Sequence, residues 1–209
     1  MTELEAVNTL LAVIGEAPVA SLATTAVNEI TDSALAQRTL KEVSRDVQSE
    51  GWSWNTDVGV QITVNANKEY NLPPNTLQAS FSPNSYPYNQ YIVRGLKIYD
   101  RQKQTYTLGD DLANEPIVVD QVITNLSWDQ IPHAGQQYMT IRAARIFSDR
   151  YVTSNVIFTY TAGDEDQART MLVRAEENQL NHNLLWGNDR GSVQGIGYTP
   201  ASGLRYRVR

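Results

Sequence analysis

The period of the hydrophobic pattern changes twice along this chain, and this constrains its fold more than any other feature. Apolar residues recur at helical spacing near the start, alternate at strand spacing from Trp54 to about Trp128, and return to helical spacing after Pro132. Each helical part alone would expose an unsupported apolar stripe, so the two must pack together. The sequence therefore predicts an α+β fold, with a four-helix core, an antiparallel β domain inserted between helices 2 and 3, and an extended C-terminal arm.

Shifts in composition place the boundaries of these parts. We expect residues 1–53 and 131–187 to form the two halves of the helical core, and residues 54–130 to form the inserted β domain. Residues 188–209 have little periodicity, several glycines and a basic end, so they cannot bury enough side chain to fold alone. We interpret this segment as an arm that is either frayed or ordered on a partner.

Capping residues mark the ends of the predicted helices. Thr2 and Glu5 have capping-box spacing at the start of helix 1, and Gly15 supplies a left-handed position after its end. The other boundaries are expected at Asp32 or Ser33 and Glu50 for helix 2, near Ser154 for the end of helix 3, and at Asp164 and Gly187 for helix 4. Residues expected on the buried sides include Val7, Leu10, Leu11, Leu40, Val43, Val47, Tyr138, Ile141, Ala144, Ile146, Phe147, Ala168, Met171, Leu172 and Leu184.

The middle of the chain has the period of half-buried strands. Its first run is Val58, Val60, Ile62 and Val64, which alternate with small or polar residues. Further strand-like runs are separated by proline, asparagine, glycine and aspartate, and they cover residues 91–94, 97–99, 105–108 and 117–126.

Composition narrows the functional classes. The chain has 209 residues, no cysteine and a formal net charge of −6. The lack of cysteine excludes disulfides, thiolate metal sites and a cysteine nucleophile, and the negative charge disfavours a general or sequence-specific DNA binder. The negative charge does not disfavour a conduit for DNA. An acidic subunit repeated around a ring would form a wall along which a duplex slides without sticking. We expect neither a membrane span nor a signal peptide, because the apolar runs are short and Glu3 and Glu5 stand near the start.

The densest carboxylates are the candidates for a glycosidase pair, which needs one acid with a raised pKa facing a second across a cleft. They are Asp164, Glu165, Asp166, Glu176 and Glu177. The first three suit a helix N-terminus and the last two an exposed face, so we interpret all five as structural. The two histidines, His133 and His182, lack metal-ligand spacing. The sequence thus predicts no catalytic residue, no cofactor and no metal site.

Two tryptophans lie where helix gives way to strand. Alternation would place Trp52 and Trp54 on the same side, filling the junction between the helical core and the β domain. Anchoring of a partner is the alternative, since tryptophan is enriched at binding hot spots.

The uncharged run 81–91 is a candidate for partner binding. On an exposed loop, Tyr86, Tyr88 and Tyr91 would supply large rigid contact area, as recognition loops do. A plain surface loop and stacking on carbohydrate are the alternatives.

The basic C-terminus is the second candidate. In an extended strand, Arg205, Arg207 and Arg209 would lie on one side, and Tyr206 and Val208 on the other. That pattern suits strand addition to the edge of a neighbouring subunit or another partner, with ion pairs to acidic residues. A solvated end and phosphate binding are the alternatives.

Five segments of the chain together resemble one known protein family, although no single segment would identify it. They are AVNTLLAVIGEAPV (6–19), VQSEGWSWN (47–55), VRGLKIYDR (93–101), LSWDQIP (126–132) and AARIFSDR (143–150). In this order they resemble the tail tubular protein A family, the head-to-tail adaptors of short-tailed podovirus phages. No segment is a catalytic motif, so the specificity comes from their number and order.

The resemblance implies a virion structural protein and not an enzyme. Twelve subunits would form a ring in the virion tail between the portal protein and the tail nozzle, tail tubular protein B. A tail fibre would be a further partner, and genomic DNA would pass through the lumen without sequence-specific binding. The helical core would line the channel, the β domain would face the nozzle, and the arm would reach toward the portal. A tail-associated glycan hydrolase is the alternative function.

Overall fold

The computed structural model describes residues 1–22, 31–81, 90–151 and 160–180. In these residues there are four helices, and five antiparallel strands lie between the second and the third helix. This confirms the predicted α+β fold, although the C-terminal arm lies outside the described residues. The helices are α1 (Glu3–Val13), α2 (Asp32–Ser49), α3 (His133–Tyr151) and α4 (Ala162–Leu180). The strands are β1 (Thr56–Ile62), β2 (Thr76–Ser80), β3 (Tyr91–Arg94), β4 (Lys97–Asp100) and β5 (Ile117–Thr124).

The chain divides into two compact units. The helical unit comprises the described residues within Met1–Val47 and Ser127–Arg209, and the β unit comprises those within Gln48–Leu126. Each unit has its own arrangement of buried side chains, because helices bury one stripe whereas strands bury alternate residues.

Hydrogen bonds at the helix starts explain where α1 and α2 begin. The predicted capping box is present: Glu5 N donates to Thr2 Oγ1 at 3.2 Å, and Thr2 N donates to the Glu5 carboxylate at 2.8 Å. Gly15 follows α1 with φ of +81°, which confirms its left-handed role. The expected cap of α2 is wrong by one residue, since Ala34 N donates to Thr31 Oγ1 at 3.3 Å.

Helix α3 is central in the helical unit and packs against both α1 and α4. Its buried side chains include Tyr138, Ala143, Ala144 and Phe147, and the two alanines allow the neighbouring helices to approach closely. The predicted Ile141 and Ile146 are only half-buried, because they lie beside this stripe.

Helix α4 begins two residues earlier than predicted, and its buried stripe is narrower. Ala168, Leu172 and Glu176 are buried at steps of four residues, whereas Met171 is 50% exposed. The expectations that Met171 is buried and Glu176 exposed are therefore wrong. The predicted helix ends at Ser154 and Gly187 and the residue Leu184 lie outside the described residues.

The β unit contains a three-stranded sheet in the order β1-β5-β2 and a separate β3-β4 hairpin. The register of the sheet pairs Thr56 with Ile123 and Ile62 with Ile117. Strand β2 was not predicted, and residues 105–108 form only isolated bridges instead of the expected strand. The apolar cluster of the unit consists of Ile62, Tyr70, Leu72, Tyr91, Ile98, Leu108, Ile117, Val119 and Val122.

Two buried amide side chains join the points where the chain enters and leaves the β unit; we call this arrangement the neck. The side chain of Gln48 accepts from Leu126 N at 2.7 Å and donates to Leu126 O at 3.3 Å. Asn55 Nδ2 donates to the carbonyls of Gln48 at 2.8 Å and Thr124 at 3.0 Å. Its Oδ1 accepts from Trp52 N at 2.8 Å. Each amide thus hydrogen-bonds backbone groups at the point where the chain changes direction.

Candidate assembly surfaces

The predicted tyrosine site is only partly within the described residues. Tyr86 and Tyr88 lie outside them, as do Arg205, Tyr206, Arg207 and Arg209 of the predicted arm site. Tyr91 is the first residue of β3, is only 8% exposed, and meets Phe81 edge-on with ring centroids 6.3 Å apart. Its ring therefore serves the core of the β unit and leaves little surface for a partner.

The acid at the start of α4 has a capping role. Asp164 accepts from the backbone N of Thr161 at 2.8 Å and from its hydroxyl at 2.7 Å. These hydrogen bonds hold the pKa of Asp164 below its usual 3.8. A glycosidase acid needs the opposite shift, so Asp164 is suited to capping and not to proton donation at neutral pH.

The next acid, Glu165, is held by arginines of α3. Its carboxylate forms ion pairs with Arg145 Nε and with Arg142 Nη1, the latter at 3.5 Å. Tyr138 Oη then accepts from Arg142 at 2.9 Å and from Arg169 of α4 at 3.0 Å. The guanidinium of Arg169 also stands over the Tyr138 ring, 5.6 Å from its centroid. We call these five residues the arginine cluster, and it ties α3 to α4.

The remaining predicted carboxylates differ in exposure. Asp166 and Glu177 are exposed, and Glu176 is 5% exposed on the buried stripe of α4. His133 is exposed at the first position of α3, and His182 lies outside the described residues. Within the described ranges, no group of three or more His, Asp or Glu is placed to hold a metal ion. No helix in the same ranges is long and apolar enough to cross a membrane.

A second ion pair joins α2 to α3 on the surface of the helical unit. Arg150 makes two hydrogen bonds to the carboxylate of Glu42, at 2.8 and 3.1 Å. The hydrogen bonds and positive charge of Arg150 lower the pKa of Glu42 from 4.5, so the pair stays ionised at neutral pH.

Parallel indole rings follow α2. Trp52 is fully buried and stacks on Trp54, with centroids 6.5 Å apart and an angle of 10° between the rings. The two rings thus lie on the same side of the chain, as predicted. Strand alternation is not the cause, however, because Ser53–Asn55 form a 3₁₀ turn. Trp54 is half-buried, so part of its ring is accessible.

The segment VRGLKIYDR folds as the β3-β4 hairpin. Its turn contains Gly95 with φ of +63°, and the adjacent Leu96 is 38% exposed at the tip. Arg94 lies over the Tyr99 ring, 3.8 Å from its centroid, which holds one side of the hairpin rigid.

Sequence analysis missed the outer edge of β1, which is an exposed edge strand. Val58 is 56% exposed although the alternating pattern predicted a half-buried strand with its valines on the covered face. The signal was present in the sequence, because residues 56–62 contain neither lysine nor proline, the residues that commonly protect an edge.

Taken together, the ion pairs and capping contacts of the described residues fit a structural role. The charged residues of the helical unit link its helices and cap their ends. The chain belongs to the tail tubular protein family, whose model matches residues 4–182. It is thus a structural component of the phage virion tail, and this is not an enzyme family. A comparison with curated proteins found no match.

Proposed function

We propose that this chain is the head-to-tail adaptor of its virion. Twelve copies form a closed ring between the portal protein and the tail nozzle, and the ring is part of the channel through which DNA is ejected. Membership of the tail tubular protein family over residues 4–182 is the observation that carries this proposal. A tail fibre attached beside the nozzle would be a further partner.

The mechanism is association and not turnover. Each copy presents two different patches to its left and right neighbours, and such heterologous contacts close into a ring when the rotation between copies fits. The division into a helical and a β unit supports this proposal, since one unit is available for lateral contacts while the other meets tail components.

The charge of the chain supports passage of DNA without retention. Each copy adds a formal net charge of −6, so a ring concentrates negative charge around its lumen. Phosphates would be repelled from such a wall, and the DNA would keep the condensed counterions that a basic DNA-binding face releases.

Electron microscopy and native mass spectrometry of the purified protein, alone and mixed with its portal, test the proposal. Closed rings with twelvefold symmetry that stack on the portal are the expected result. The matched control is the portal incubated with an unrelated acidic protein of similar size. A subunit that stays monomeric in the presence of both portal and nozzle would contradict the proposed function.

DNA retention gives a separate readout. At low salt, assembled rings should bind duplex DNA no better than an acidic control protein does, and raising the salt should change little. Tight binding that weakens steeply with salt would show that the channel holds DNA and does not merely guide it.

A further inference from the structure

The outer side of β1 is an open sheet edge. In the order β1-β5-β2, strand β1 has β5 on one side, and no backbone hydrogen bond from residues 56–62 reaches any other described residue on the opposite side. The strand is seven residues long, and Asp57 is its one charged residue. The other edge, β2, has five residues and is preceded by Pro73 and Pro74. An exposed edge of this length, with one charged residue and no proline, can accept a further strand.

The two faces of this edge differ in chemistry. Val58 and Val60 share one face, where Val58 is exposed and Val60 half-buried. Asp57 lies on the other face, and the pairing of Asp57 with Val122 and Gln61 with Val118 puts Asp120 there too. No salt bridge to another described residue involves Asp57 or Asp120. An incoming strand would therefore meet an apolar face on one side and, on the other, two carboxylates beside the exposed Val118; we call the latter the acidic face.

The last five residues of this chain have the matching alternation. Tyr206 and Val208 share one side of an extended strand, and the three arginines share the other. We propose that residues 205–209 of a neighbouring copy add as a strand to the outer edge of β1. Tyr206 and Val208 then cover Val58 and Val60, and the arginines face the acidic side. This inference rests on the proposed ring, which supplies the neighbouring copy.

Gly59 leaves room for one arginine of the incoming strand to reach Asp120. With Tyr206 and Val208 opposite Val58 and Val60, Arg207 lies opposite Gly59 in either strand direction. Gly59 has no side chain and its φ of +68° disfavours any other residue, so Arg207 can extend across it toward Asp120 on β5. Neighbouring strands lie about 4.8 Å apart, which places Asp120 about 10 Å away, within reach of an arginine side chain and its partner's carboxylate.

The lengths of the two segments are compatible. Seven residues of β1 span about 23 Å, and the five residues 205–209 need about 17 Å. Residues 181–204, which lie between α4 and this strand, can extend up to about 80 Å. The connection therefore allows the strand to reach an adjacent subunit.

Disulfide trapping in the full-length chain tests this proposal, because the chain contains no cysteine of its own. Subunits carrying Val58→Cys are mixed with subunits carrying Tyr206→Cys or Val208→Cys, assembled with the portal and mildly oxidised. We expect covalent dimers from one of these mixtures, according to strand direction, at least tenfold above a Val58→Cys and Arg207→Cys mixture. The Arg207 variant places its thiol on the opposite face, and Gln78→Cys on β2 is a second control.

The outcomes separate this inference from the proposed function. Rings that form without dimers above the controls would overturn the strand addition and leave the adaptor function standing. It would also be overturned if a variant carrying both cysteines formed its disulfide only within one chain. Cross-linking of the arm to the portal would overturn it as well. Absence of rings would contradict the proposed function itself, and with it this inference.

Charge exchange gives independent evidence. Arg207→Glu should weaken ring assembly at least tenfold, whereas Arg207→Lys should change it less than threefold. Adding Asp120→Arg to Arg207→Glu should restore most of the loss, since the pair is reversed. A double variant no better than Arg207→Glu alone would overturn the pairing of these residues.

Discussion

The ion pairs of the two units differ in burial. Between α3 and α4 of the helical unit, the arginine cluster places three guanidinium groups around Tyr138 and Glu165. In the β unit, by contrast, the ion pair of Lys68 with Asp110 is exposed, and the buried cluster that includes Tyr70, Ile98 and Leu108 is apolar. Both units have apolar cores, but exposed ion pairs contribute little, so a salt-dependent contribution to stability is expected mainly in the helical unit.

The largest effect is expected from truncation in the apolar cluster of the β unit. Tyr70 is fully buried and its hydroxyl donates to Glu115 O at 2.7 Å. Tyr70→Ala should lower the free energy of unfolding by about 3–5 kcal/mol, through lost burial and the cavity that remains. Tyr70→Phe should lower it by about 1 kcal/mol, because only the hydrogen bond is lost. Urea denaturation gives both values.

Hydrogen exchange measured by mass spectrometry sharpens this comparison. Tyr70→Ala should speed exchange in residues 48–126 and leave α1 and α3 protected. Equal loss of protection in both units would show that they unfold as one and would contradict the comparison.

The neck should show the next largest effect. Asn55→Ala removes three hydrogen bonds to backbone groups of Gln48, Thr124 and Trp52, so the free energy of unfolding should fall by about 2–4 kcal/mol. The exposed Asn67→Ala is a matched control with an expected change below about 0.5 kcal/mol. Similar midpoints in urea for the two variants would show that the amide of Asn55 is dispensable.

A smaller, salt-dependent effect is expected in the arginine cluster. Glu165→Gln keeps the shape of the side chain but removes its charge from Arg142 and Arg145, and should cost about 1–2 kcal/mol at low salt. The difference from the wild type should shrink as salt is raised. Thermal unfolding at two salt concentrations measures this, and a constant difference would contradict an ionic contribution.

The smallest effect should appear only in acid. Burial raises the pKa of Asp100, but hydrogen bonds from Lys103 N, Gln90 and Gln102 N outweigh it, and the pKa lies below its usual 3.8. A carboxyl with a lowered folded pKa contributes stability above its unfolded pKa, and that stability is lost as the pH falls through the folded value. Wild-type protein should therefore lose more stability than Asp100→Asn as the pH drops from about 5 to 2. Parallel curves would show that Asp100 contributes nothing.

The sequence predicted the elements that have a strong pattern of their own. The capping box of Thr2 and Glu5 and the apolar stripe of α1 depend on neighbours within one helical turn, so they are readable locally. Strand β2 was missed because Leu77 and Ala79 follow two prolines and form only a weak alternation. Met171 and Glu176 were placed wrongly because the width of the buried stripe on α4 is set by the helices that pack against it.

The candidate sites were less predictable for the same reason. The alternation of Val58, Val60 and Ile62 indicated a strand but gave no information on whether a neighbour covers it. The burial of Tyr91 depends on contact with Phe81, ten residues earlier, and with the rest of the apolar cluster. The ties of Glu165 to Arg142 and Arg145 cross from one helix to another, which spacing along a single helix cannot show.

The neck has a consequence for the order of folding. Because Gln48 and Leu126 are hydrogen-bonded side by side, a β unit that folds first brings the end of α2 and the start of α3 together. For the helices it then behaves as a connection of a few residues, although the chain between them is long. Loop-closure entropy grows by about 0.6 kcal/mol for each doubling of length, so a prefolded insertion saves the helices about 2.6 kcal/mol relative to an unfolded one. Early folding of the insertion would thus speed the docking of α3 and α4 on the helices that precede the insertion.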